Sequence, residues 1–224
     1  MAVDRRTPAA RQRAYPSPTV AERLTGGGTA GNGRLTAATG ATLIVLLAVI
    51  GVTILRIRPL LSVHLFVGMV LIPPVLLKLS STGYRFARYY MHNPAYMRKG
   101  PPAAALRVIA PVVVISTLVV LASGVALLLI GPSSRDTLMP IHKVSFFVWV
   151  AFTAMHVLGH LVELPDALRS DFGRSAAWSG DVTGRSGRVL ALSGALVAGV
   201  VVAIVLVPDF AVWVHSAGLF HHDG

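Results

Sequence analysis

Five apolar runs, at about 36–57, 60–79, 105–130, 141–163 and 187–208, fill most of this 224-residue chain. Each is close to the roughly 20 residues that a helix needs to cross the hydrocarbon core of a bilayer. A segment inside hydrocarbon must satisfy its own backbone N–H and C=O groups, so all five are expected to be helices. The alternation and aromatic girdles of a membrane barrel are missing from the sequence. The chain is 54% hydrophobic and 13% charged, against about 25% charged in an ordinary soluble domain. These features predict an all-α integral membrane bundle of five transmembrane helices over residues 36–214, with the lipid bilayer as its first partner.

The flanks are of another composition. Residues 1–35 are rich in Arg, Gly, Pro, Thr and Ala, and the stretch from Thr25 to Gly33 holds five glycines. Such a segment buries too little apolar surface to order itself, which predicts a disordered tail over 1–35. Residues 215–224 are expected to form a short tail at the other end. The first apolar run begins only near Ala37 and is too long for a signal peptide, so no cleavable leader is expected. There are no cysteines, which excludes disulfides, iron–sulfur ligation by this chain and covalent c-type haem attachment.

The net charge of +11 does not point to nucleic acid, because the basic residues flank the apolar runs instead of forming one patch. Six arginines lie in 1–35, five basic residues in 80–107 and four in 164–188, against four in the remaining connections. The asymmetry predicts a multi-pass protein of the plasma membrane, N-terminus cytoplasmic and C-terminus outside. The second and fourth helices then both run inward. His64 and His142 fall near the outer face, and Lys78 and His156 near the inner one.

Those four residues are the ionisable groups that the spans carry on one interval. His142 and His156 are fourteen residues apart, as are His64 and Lys78. Fourteen residues of helix rise roughly 21 Å and end roughly 40° from the starting azimuth. Ionisable groups at such depths are expensive and commonly functional. A b-type haem needs two axial nitrogens from facing helices, and neutral imidazole serves well when its other nitrogen donates a hydrogen bond. His64 and His142 are the expected outer pair. Small residues nearby would admit a macrocycle; Gly68, Gly124 and Gly159 are candidates.

At the inner level His156 has Lys78 as its counterpart, and both are expected to open into the same space between helices. Lys78 could ligate, pair with haem propionates, or form another polar site with His156. His160, four residues after His156, is an alternative ligand, and an i,i+4 histidine pair is also a weak metal signal. The haem count is therefore one, or two. Pro73-Pro74 lies between the levels and should kink the second helix. Tyr84, Phe86, Tyr89, Tyr90 and Tyr96 interleave with Arg85, Arg88, Arg98 and Lys99 as an interfacial belt, or as a docking surface for propionates or a redox partner. Ala191, Ala195 and Gly199 form a small-residue face suited to close helix contact.

The arrangement of His142, His156 and His64, with the stretches 62–68, 138–143 and 156–160, resembles bacterial membrane-bound b-type cytochromes. These include the cytochrome subunits of hydrogenase and formate dehydrogenase. It also resembles uncharacterised actinobacterial membrane proteins of that type, over residues 36–163. The resemblance implies haem b, with His64, His142 and His156 as ligands to haem iron, and electron exchange with a redox protein or a quinone. Lys78 departs from the pattern, which favours a fourth histidine. No nucleophile–base set, phosphate loop or paired carboxylate suggests hydrolysis; Glu163 is the only acid within the runs. A non-haem scaffold or assembly subunit, or an ion or proton carrier using His156, His160 and Lys78, are the alternative readings. The charge asymmetry yields a direct expectation: a single cysteine introduced into the 80–107 connection is shielded from an impermeant thiol reagent in intact cells. Labelling from outside would reverse the topology.

Overall fold

A computed structural model describes residues 27–98, 104–161 and 184–219. It comprises α1 (Gly28–Leu55), α2 (Leu61–Tyr90), α3 (Pro94–Arg98), α4 (Ala104–Ile130), a 3₁₀ turn at Pro132–Ser134, α5 (Arg135–Leu161), α6 (Arg185–Val205) and α7 (Val207–Leu219). There is no strand among the described residues. Helices α1, α2, α4, α5 and α6 each contain a window long and apolar enough to cross a membrane. The fold is an all-α membrane bundle of five spanning helices.

The spans form two groups. Helices α1, α2 and α6 pack together, and α4 pairs with α5 along its length. Contact between the groups is sparse and runs chiefly through α2, α4 and α7. The α1 residues buried against neighbours include Thr36, Thr39, Leu43, Ile50 and Thr53, spaced by three, four, seven and three. That spacing keeps one stripe on the partner helix. The stripe can be threonine-rich because each hydroxyl is satisfied within its own helix. Thr36 donates to Asn32 O at 2.8 Å, Thr39 to Leu35 O at 2.8 Å and Thr53 to Ile50 O at 2.6 Å. A bonded hydroxyl avoids the desolvation cost of burial.

α1 starts earlier than composition predicts. Residues 28–35, expected to belong to a disordered tail, form its first two turns. Asn32 Nδ2 donates to Ser81 O at 3.1 Å and the Thr36 and Ser81 hydroxyls bond at 3.0 Å. These ties to α2 offset the entropy of ordering glycines. The far end of the chain differs too. The fifth run breaks at Leu206, because Pro208 has no N–H to continue the ladder. α7 then carries residues 215–219, expected to belong to a tail, as helix. Trp213 Nε1 donates to Leu127 O at 3.1 Å, so α7 is tied to α4. Residues 1–26, the 162–183 connection with Glu163, and His221 and His222 lie outside the described residues.

α2 contains Pro73 and a fully buried Pro74. Neither has an N–H, so Val70 O loses both its i+4 and its i+3 intrahelical donors. α6 approaches at that carbonyl. A β-carbon added to Gly199 would stand 2.5 Å from Val70 O and 3.0 Å from Val70 Cα. Only glycine admits this approach of the α6 backbone to a carbonyl that lacks a ladder partner. The expected small-residue face thus packs through Gly199 and Ala203, both buried. Gly199→Ala should lower thermal stability by about 1–3 kcal/mol, the usual range for overpacking. Gly194→Ala, whose β-carbon meets nothing within 4 Å, should leave the melting temperature within a degree or two (roughly) of wild type.

Candidate functional site

His64 lies on the first turn of α2 and His142 on the second turn of α5. The ends of α1 and α4 pass beside them. Both imidazoles are half-buried. His64 Nδ1 is 2.9 Å from the hydroxyl of Thr53. That hydroxyl has one proton, which goes to Ile50 O at 2.6 Å. The Thr53 oxygen therefore accepts, and His64 Nδ1 must carry its proton. His142 Nδ1 is 3.0 Å from Val120 O, which can only accept. Ser123 Oγ lies 3.1 Å from the same nitrogen and itself donates to Val120 O at 3.1 Å. His142 is thus also protonated at Nδ1.

A neutral imidazole has one N–H, so each ring keeps a lone pair on Nε2. The second-shell bonds of a metal-ligating histidine have this form. His64 and His142 belong to different helix groups. A β-carbon at Gly124 would stand 3.1 Å from His142 Cε1 and 3.5 Å from Nδ1, so the ring rests on bare α4 backbone. One turn beyond His64, a β-carbon at Gly68 would meet nothing within 4 Å. The structure thus holds an Nδ1-protonated imidazole in each helix group, one beside Gly124 on α4 and one a turn before Gly68 on α2. Gly159 is exposed.

Among the described residues no group of three or more His, Cys, Asp or Glu side chains could hold a metal ion. Two imidazole lone pairs are what a macrocycle requires, since it supplies its own equatorial nitrogens.

The inner level differs from expectation. Lys78 does not open into a space shared with His156; its Nζ donates to Thr36 O on α1 at 2.7 Å. The ammonium lies over Gly40, where a β-carbon would stand 2.9 Å from Nζ. Ser81, Thr36 and Asn32 complete this polar patch between α1 and α2. His156 is half-buried on α5, which packs on α4. The side chain of His160 lies outside the described residues. Equal sequence offset did not fix the partner of Lys78, which lies on α1. The physical reason is that α1 packs on α2 and presents the Thr36 carbonyl beside Gly40, within reach of the amine.

Thr53, Val120 and Ser123 were not singled out by sequence. A signal for Thr53 exists: it sits eleven residues before His64, across a short turn that brings two helix ends together. Ser123-Gly124, a small polar pair within an apolar run, is the corresponding signal on α4.

Neither a protein-family model, nor a curated protein, nor a solved structure matches the chain. The fold itself defines the class, a multi-pass all-α membrane protein. Nitrogen-15 NMR should show both His64 and His142 as Nδ1–H tautomers. Thr53→Val should release His64 to a mixed population and leave His142 unchanged, with a stability loss of about 1–3 kcal/mol from the orphaned donor.

Proposed function

We propose that this protein binds one b-type haem between His64 and His142 and carries electrons across or within the plasma membrane. The observation that supports this most is the shared protonation pattern. Both imidazoles have Nδ1 tied to an acceptor on the preceding helix, which leaves two Nε2 lone pairs on opposite helix groups. The haem would supply reversible one-electron chemistry. The chain's part is to bind, orient and insulate. Thr53 and the Val120 carbonyl hold the rings in the ligating tautomer and raise their basicity. Gly124 lets the His142 ring lie against α4, and Gly68 leaves space beside α2. The apolar spans provide a low-dielectric surround that tunes potential.

Lys78 favours a single haem, since its amine is engaged by Thr36 O. A quinone or a redox protein would exchange electrons with the site. The charge asymmetry supports a cytoplasmic N-terminus. The second reading is a non-haem scaffold. Bonds such as Trp149 Nε1 to Thr117 Oγ1, 2.9 Å between α5 and α4, are of the kind that tie membrane helices together.

Visible spectroscopy of purified protein separates the two. A reduced-minus-oxidised α band and one haem per chain are expected for wild type and for Lys78→Met. His64→Ala and His142→Ala should each lose the haem while remaining helical. Thr53→Val should weaken retention by roughly 10–100-fold. A colourless wild type reconstituted with haem would overturn the proposal.

A further inference from the structure

α2 carries a second chemical locus, far from the histidine pair. Lys78, Arg85 and Arg88 recur at intervals of seven and three, so they share one face of the helix. Beside them α3 folds Tyr96 back against Tyr84, with the rings edge-on and their centres 6.0 Å apart. The Arg88 guanidinium lies 6.0 Å from the centre of the Tyr84 ring. Arg88 Nε is buried with no hydrogen-bond partner.

Three cations gathered in this way repel one another unless an anion joins them. Within the described stretch 27–98, which carries this face, there is no Asp or Glu. The C-terminus of α2 contributes only a partial negative charge, about half of one unit. Guanidinium N–H groups with adjacent phenol hydroxyls and no carboxylate form a donor set for phosphate oxygens. Depth selects the source of that phosphate. Lys78 lies seventeen residues beyond Leu61, or roughly 26 Å along α2, near the far edge of a hydrocarbon core about 30 Å thick. Arg85 and Arg88 lie roughly 10 and 15 Å further, in the headgroup layer. Leu76 and Phe86 are exposed on the same stretch, at 51% and 64%, and offer surface to acyl chains.

We propose that the Lys78–Arg85–Arg88 face of α2, with Tyr84 and Tyr96, binds the phosphate of an anionic phospholipid headgroup. The site is independent of the haem reading. Lys78 holds α1 through Thr36 and contributes charge at the base of the site; the arginines and Tyr96 receive the phosphate. The lipid would thereby fasten the α2–α3 corner to the membrane surface.

Native mass spectrometry of the full-length protein in neutral detergent, with added phosphatidylglycerol or phosphatidylcholine, tests this. Wild type should retain phosphatidylglycerol in preference to phosphatidylcholine. Each basic residue near a membrane surface contributes roughly fivefold, so Arg85→Gln/Arg88→Gln should weaken retention on the order of twentyfold. Arg85→Lys/Arg88→Lys should keep much of it, and Arg56→Gln/Arg58→Gln, at the opposite end of α2, should change nothing. Helical circular dichroism and an unchanged melting temperature confirm that the variants fold. Equal retention of both lipids by wild type would overturn the proposal. So would unchanged phosphatidylglycerol binding in the glutamine variant, which would leave the patch to an acidic protein. Complete displacement by millimolar inorganic phosphate would assign the site to the free ion and overturn the lipid assignment.

Discussion

Backbone hydrogen bonding inside hydrocarbon is the constraint from which the rest of this structure follows. With no water to take up stray donors, each span must close its own ladder, and each buried hydroxyl must find an acceptor nearby. The α1 threonines meet this by bonding to carbonyls of their own helix, which allows a polar stripe to be packed against α2. The exception is informative. Pro73 and Pro74 strip Val70 O of its ladder partners, and the chain places Gly199 there, so that the backbone of α6 comes to the open carbonyl. A sequence defect in one helix thus becomes the docking point of another.

The same rule shapes the histidine pair. An imidazole in a membrane helix must hand its N–H to something, and the available acceptors sit on the helix just traversed. His64 turns to Thr53 on α1 and His142 to Val120 on α4. Each choice secures a helix pair, and each leaves the remaining nitrogen basic. Electrostatic preparation and helix packing are one arrangement here, which is why substitutions at Thr53 act on both.

Lys78 shows the rule with a charge. A lysine at this depth could reach along the helix toward headgroups. Instead Gly40 opens room over α1, and the amine finds the carbonyl of Thr36. The polar patch so formed anchors the glycine-rich start of α1, and it sits at the foot of the basic face that rises through Arg85 and Arg88.

Much was legible in the sequence. The lengths of the apolar runs determine five helices, their order and their alternation across the bilayer. Four-residue spacing identifies Gly199 as a contact. These are properties of one segment at a time, and they depend only on helix geometry and transfer from water. Tertiary structure decided the rest. It drew Gly28 to Leu35 into α1, broke the last run at Leu206, and turned Lys78 toward Thr36 instead of His156. It also selected Thr53, Val120 and Ser123 as the acceptors beside the imidazoles. The physical reason is that azimuth and partner choice depend on groups from distant segments meeting in one place. A period along a single helix specifies how deep a side chain lies, whereas the backbone approach of its neighbours decides what it touches.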